Sequence, residues 1–377
     1  MTYGNYKVLH LTTHLNAGGV TRYISEVGSE MIKRGGEAAV LSSGGDWQNL
    51  LEEKGLRLFR FPIRTKNEFH PKLLWALAGT VRLVRREKFD LMHAHTRVTQ
   101  VLASWVSWLT KIPFVSTAHG YYKPRFGRRL FGAWGARVIA VSPLVAEELE
   151  KSHKVPKSRI RVVYNGIDIE GHRRRILEKN PSAVRRDLGI GERTFVIGSV
   201  SRLVRDKGHE DLVEAAARLL RKKSDVFLLM IGDGREKERL EKKIRKLKLE
   251  GRARLLPSQT DITGFLSIMD VFVHPAVFRE GFGLAMLEAM AAKIPVIASN
   301  IWAINSIIRH GVNGFLVEPK KPAELAEAIR FVMEHPENAG AVAQNAYQMA
   351  CRLYSVERMA DELETVYGEV VGADLCV

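Results

Sequence analysis

Glu280-Gly-Phe-Gly-Leu-Ala-Met-Leu-Glu288, continuing through Ala-Met-Ala-Ala to Pro295-Val-Ile-Ala, is the stretch whose reading decides the fold. Before it lies an apolar run, Asp270-Val-Phe-Val-His-Pro275, with the length and β-branched content of a buried strand. After the glycines, Leu284, Leu287 and Ala291, with the alanines and methionines around them, predict a helix packed on a sheet. A helix start offers unpaired backbone N–H groups and a positive dipole end, and Gly281 and Gly283 let a bulky anion approach. This is chemistry for a phosphate or for sugar hydroxyls. Glu280 stands at the mouth of the loop and Glu288 a turn or more into the helix, so the pair can bracket a ligand lying across the helix N-terminus. A carboxylate among Met286, Leu287, Ala289 and Met290 is costly to bury without a partner. The plain alternative is a salt-bridged or exposed glutamate.

Working outward, 377 residues suit two domains rather than one core, and 46% hydrophobic with 27% charged residues is a globular composition. No apolar run approaches the roughly 20 residues needed to span a bilayer. The N-terminus shows no secretory pattern, and Cys351 and Cys376 lack metal-ligand spacing, so a reduced, cytoplasmic protein is expected. The net charge of +16 suits nucleic acid, an anionic membrane surface or an anionic substrate. No nucleic-acid motif is present and the basic residues are dispersed, so nucleic acid is the least favoured of these.

Strand–helix alternation runs through the chain. Tyr6–Thr13 reads as a first strand, followed by a loop with Gly18-Gly19, a helix marked by Val20, Ile24, Val27 and Met31, and a strand at Ala38–Leu41. A ligand is expected at the carboxyl end of such a strand, although a glycine pair alone equally marks a tight turn. Phe89–His95 and Pro113–Gly120 read as strands ending in His93, His95 and His119. Period-two spacing puts His93 and His95 on one face, which suggests a metal. Asp90 points to the other face and no cysteine is near, so no metal is expected. After Pro124, a helix would carry Phe126, Leu130, Phe131 and Trp134 on one face and Arg125, Arg128 and Arg129 on the other. That face pattern suits a membrane interface, or else a core helix with its arginines in water. Glu170–Gly191 is polar, with Arg173-Arg174-Arg175 and Asn180-Pro181, and reads as a linker. A second alternation begins at Phe195, where Arg202 and Lys207 follow a strand in a loop. There they suit a diphosphate, with Arg205 chemically equivalent.

The Glu280–Glu288 string resembles the E-x7-E signature of family 4 glycosyltransferases, and Arg202-Leu-Val-Arg-Asp-Lys207 resembles that family's R-x4-K motif. Gly18-Gly19, the His93-Ala-His95 strand, Thr117-Ala-His119-Gly120 and Asn165-Gly-Ile-Asp168 are similar to further family segments. The resemblance implies an α/β GT-B fold, two Rossmann-like domains facing across a cleft with the C-terminal helix crossing back to the N-domain. The implied division is 1–169, completed by about 355–377, as an acceptor-side domain, 170–192 as linker, and 193–354 as the nucleotide-sugar domain. It also implies a retaining, metal-independent nucleotide-sugar transferase with no cofactor. Arg202 and Lys207 would hold the diphosphate, and Glu280 with Gly281, Phe282, Gly283 and Leu284 would meet the donor sugar. Glu288 would bind the ribose, Gly18 and Gly19 the phosphate side, and His119 the sugar, while His93 and His95 stay structural. A UDP-sugar donor and a carbohydrate or lipid-linked envelope acceptor are favoured, with hexosyl or N-acetylhexosaminyl transfer. Peripheral contact with the inner face of the cytoplasmic membrane would run through Arg125, Arg128 and Arg129. A nucleotide-sugar epimerase and a non-catalytic sugar-nucleotide or membrane-surface binder are the alternatives. Two departures stand beside the expected pocket: Lys293 in place of a glycine, and Trp302-Ala-Ile-Asn-Ser306 in place of Gly-Gly-x-Pro-Glu.

Overall fold

The strands predicted above join others in two separate parallel sheets in the computed structural model, which describes residues 6–65, 67, 70–122, 128, 131–222, 224–278 and 280–372. The strands are β1 Lys7–Leu11, β2 Glu37–Ser42, β3 Arg57–Arg60, β4 Leu91–Ala94, β5 Phe114–Ala118, β6 Arg137–Ala140, β7 Ile160–Val162, β8 Phe195–Val200, β9 Val226–Ile231, β10 Ala253–Leu256, β11 Val271–His274, β12 Val296–Ser299 and β13 Phe315–Val317. The described helices are α1 Gly19–Lys33, α2 Gln48–Glu53, α3 Lys72–Glu87, α4 Arg97–Thr110, α5 Pro143–His153, α6 Ile169–Leu177, α7 Pro181–Leu188, α8 His209–Arg221, α9 Lys237–Lys246, α10 Thr263–Leu266, α11 Leu284–Ala291, α12 Pro322–Glu334, α13 Pro336–Leu353 and α14 Val356–Val371.

The first unit comprises Met1–Gly166 and Val356–Val377, and its sheet has the order β3-β2-β1-β4-β5-β6-β7. Alternation along β1 sets its two layers. Val8 faces a core with Ile24, Val27 and Met31 of α1 and Leu363 and Tyr367 of α14. Leu9 and Leu11 face the opposite core, with Leu73 and Leu83 of α3 and Leu102 and Val106 of α4. The last helix thus returns to the first unit because one of its faces (Met359, Ala360, Leu363, Val366, Tyr367) is fully apolar and buried there.

The second unit, Ile167–Ser355, carries the sheet β10-β9-β8-β11-β12-β13. Strand β9, Val-Phe-Leu-Leu-Met-Ile, is buried throughout, the continuous apolar run that a parallel strand covered on both faces requires. The stretch 170–192 is not a linker. It forms α6 and α7 within this unit, because local caps override its polar composition. The Asp168 side chain accepts from Gly171 N at 2.8 Å and that of Asn180 from Ala183 N at 3.1 Å, with Pro181 opening α7 and left-handed Gly189 closing it. Helix α6 then packs against α11, and Arg173 of the arginine run lies over the Tyr347 ring at 5.3 Å. Among the described residues no helix is long and apolar enough to cross a membrane.

Candidate active site

In each sheet the strand order reverses once, between β1 and β4 and between β8 and β11. Such reversals open a crevice at the carboxyl ends of the strands, where ligands bind in doubly wound folds. The residues singled out from the sequence collect at these two points.

In the second unit, β8 feeds the loop 201–208 and β11 feeds the loop 275–283. Val277 N donates to Asp206 O at 2.9 Å, joining the loops. Gly208 has φ +66°, and a Cβ there would strike the Pro275 carbonyl, so only glycine fits this close approach. The joined loops bring Lys207 onto Glu280, whose side chains are 16% and 15% exposed and form an ion pair. His274, at the end of β11, adds a bond from Nε2 to Glu280 Oε2 at 3.2 Å, and Gly281 N donates to Glu280 Oε1 at 3.2 Å. Burial opposes ionisation of Glu280, but the Lys207 ammonium and the His274 contact outweigh it and hold the carboxyl well below its usual range. Glu280 is therefore an oriented, ionised acceptor.

Gly283, left-handed at φ 86°, caps α11. Phe282 is buried with its ring 5.2 Å from that of Tyr354. Leu284 begins the helix, and Glu288, one turn on, is buried within it. Arg202 lies exposed on the same loop as Lys207, available to an anion, as does Arg205. One departure falls here and the other does not, since Lys293 lies past the opposite, C-terminal end of α11. Ile304 approaches Gly283, its Cδ1 being 3.7 Å from where a Cβ would stand. Lys293 keeps the left-handed φ of 58° that a glycine would take, with its ammonium over Tyr347 at 4.6 Å.

The first unit places Gly18 as the cap of α1 and Gly19 as its first residue, after β1. His119 follows β5 and closes a chain of imidazoles that sequence reasoning missed. His10 Nδ1 and His95 Nε2 are 3.0 Å apart, and His95 Nδ1 and His119 Nε2 are also 3.0 Å apart. His93 bonds Tyr367 Oη at 2.8 Å and Thr117 Oγ1 at 2.7 Å. The available signal was register: His10 pairs with His93 across β1 and β4, two residues before His95 on the same face. Burial pushes His10 and His119 down to about 3, and His93 and His95 well below the usual histidine range, so all four rings are neutral. Nitrogens of His10, His93 and His95 lie within 4.8 Å of one another, as metal ligands do. Both nitrogens of His93 and of His95 already have partners, so a metal here would have to displace those bonds.

The chain also has a direction. His10 Nε2 is buried without a partner among the described residues. A proton there would be an unmatched buried donor, the costlier way to leave a nitrogen unpaired. The proton of each ring then sits on Nδ1, and His119 presents an Nδ1–H donor. In 15N NMR of imidazole-labelled protein, His119 is expected as the Nδ1–H tautomer, and an Nε2–H signal would reverse the chain.

The segment expected to touch a membrane lies partly outside the described residues, which exclude Arg125, Phe126, Arg129 and Leu130. Arg128 is described, and it is not on the surface. Its guanidinium lies 4.0 Å from the Tyr122 ring and 4.6 Å from Trp134, and it donates to Gln100 Oε1 at 3.3 Å. Cation–π contact with two aromatics gives the charge a buried partner. Trp134 is likewise core.

Two Rossmann-like units, each with a glycine-bearing loop at its order reversal, give the α/β architecture of GT-B proteins, a fold that hosts several activities. Residues 17–170 match the family model described as Glycosyltransferase Family 4, and residues 182–349 match Glycosyl transferases group 1. The chain belongs to the family 4 type of GT-B glycosyltransferases. It is 24% identical to N-acetyl-alpha-D-glucosaminyl L-malate synthase of Bacillus anthracis, over 97% of each chain. It is 26% identical to UDP-Gal:alpha-D-GlcNAc-diphosphoundecaprenol alpha-1,3-galactosyltransferase of Escherichia coli, over 85% of each. Among solved structures it resembles Anabaena Alr3699/HepE in complex with UDP-glucose, with a TM-score of 0.82 and 26% identity over 96% of this chain and 99% of that one.

Proposed function

We propose that this glycosyltransferase moves a hexosyl or N-acetylhexosaminyl group from a UDP-sugar to a lipid-linked or surface-polysaccharide acceptor, with retention and without a metal. The observation that carries the reading is the Lys207–Glu280 pair at the α11 N-terminus, where the second sheet reverses its order. As the glycosidic bond breaks, negative charge grows on the departing diphosphate. Lys207, Arg202 and the N–H groups leading into α11 are the cations and dipoles that would stabilise it, a role a metal ion fills elsewhere. Glu280, held ionised by Lys207 and His274, would accept from sugar hydroxyls and fix the sugar's orientation while positive charge develops at its anomeric carbon. Glu288 would take the ribose. The donor preference is supported by the UDP-glucose complex of the similar Anabaena protein, and the acceptor class by the diphosphoundecaprenol acceptor in the name of the E. coli relative. The acceptor class in turn supports work at the inner face of the cytoplasmic membrane.

The test follows UDP release from UDP-sugars with and without bacterial lipid and polysaccharide extracts, with NMR of the product. Acceptor-dependent release, an α linkage and indifference to EDTA are expected. Isomerisation of the donor without acceptor would make the protein an epimerase, and a β product would overturn retention.

A further inference from the structure

Helix α3 turns an unusual face to solvent. At about 100° per residue, Leu74, Trp75, Ala78, Arg82, Arg85 and Arg86 fall within roughly 120° of one another, and all are exposed. The face is apolar in its first half and basic in its second. Leu74 is 64% and Trp75 66% exposed, well beyond what a tryptophan needs to reach water with its indole N–H. Helix α4 packs alongside, and its C-terminus meets the basic half, where Arg85 Nη2 donates to Leu109 O at 3.2 Å. There Trp108 is 74% exposed, next to exposed Leu109 and Lys111. The result is a strip with an exposed tryptophan at each end and arginines between them. Glu87 is the only acidic residue on the two helices.

We propose that this α3–α4 face is where the protein lies on an anionic phospholipid membrane. The inference deepens the membrane part of the function proposed above and moves the contact away from the arginines at 125–129. The occupant follows from the chemistry of the strip. Indole rings settle at the headgroup level, arginines bind lipid phosphates, and α3, about 24 Å long at roughly 1.5 Å per residue, is long enough to lie flat across several headgroups. A protein partner would need acidic groups matched to the arginines, whereas an anionic leaflet offers them at every position.

Co-sedimentation with phosphatidylglycerol-containing vesicles at low salt tests this. The wild type is expected to bind them, to ignore pure phosphatidylcholine, and to release as salt shortens the screening length towards about 3 Å at roughly 1 M. Arg82→Glu with Arg86→Glu is expected to weaken partitioning about thirtyfold or more. Trp75→Phe with Trp108→Phe is expected to abolish the vesicle-induced blue shift of tryptophan fluorescence, leaving the four other tryptophans silent. Wild-type protein that stays in solution, or binds neutral vesicles equally well, overturns the proposal. So does vesicle binding that survives the arginine reversal in a variant with unchanged melting. Thermal shift with UDP-glucose keeps the two readings apart. A stabilised protein that ignores vesicles removes only this surface, and vesicle binding without any UDP-sugar response removes the transferase reading instead.

Discussion

Replacing Lys207 by Met is expected to lower turnover ten- to a hundredfold, the rate equivalent of losing about 1.5–3 kcal/mol of charge-assisted bonding to the leaving diphosphate. The same change is expected to destabilise the second unit, because Glu280 would keep its buried position without its ammonium partner. Stripping one member of a buried pair typically costs about 3 kcal/mol or more, and the residual exposure of both groups argues for the lower end. The second substitution, Glu280→Gln on the Lys207→Met background, separates the two effects. It removes the stranded charge, so the melting temperature recovers while turnover stays low. Calorimetry and steady-state UDP release on the single and double variants make the comparison. Wild-type turnover in Lys207→Met would take the lysine out of the mechanism, and unaltered melting would mean that the ion pair carries no net stability.

Acidification is expected to unfold the first unit at a pH where most globular domains persist. Its four clustered histidines are neutral when folded and hold an ordinary affinity for protons when unfolded. Their folded pKa values are depressed, so below 6.5 the unfolded chain binds more protons than the folded one, and stability rises with pH. The contribution is complete above 6.5 and is lost as pH falls towards about 3, where His10 and His119 would titrate in the fold. At about pH 5, each such histidine removes roughly 2 kcal/mol, so a few of them are comparable with a total stability of about 5–15 kcal/mol. Circular dichroism melts between neutral pH and pH 5 should show a steep fall. The His10→Gln variant should show a shallower one, by about one proton in the slope. A melting temperature flat over that range would mean that the rings are protonated in the fold or solvated by it.

The candidate site was legible in the second unit to an unusual degree, and for a physical reason. Its residues lie on two short loops, each set between a strand and a helix whose periodicities are plain in the sequence. Arg202, Lys207, Gly283 and Glu288 could therefore be placed on loop, cap or helix without knowing any long-range contact. What could not be read was which loop meets which. The pairing of Lys207 with Glu280 spans more than seventy positions. It exists because β8 and β11 are neighbours in the sheet and because Gly208 lets the two loops touch.

By itself, the sequence determined the alternation of strands and helices, and with it two parallel α/β layers. Hydrophobic period is a local property, and each element carries its own. It also determined the helices over 169–188, through Asp168, Asn180, Pro181 and Gly189, although polar composition made that stretch resemble a linker. Only the tertiary structure decided the fate of polar groups whose partners come from distant strands. It drew His10, His95 and His119 into one neutral chain, buried Arg128 between Tyr122 and Trp134, and left Trp75 and Trp108 in water. A charged or aromatic side chain is buried or exposed according to what stands opposite it. Sequence spacing within its own element cannot carry that information.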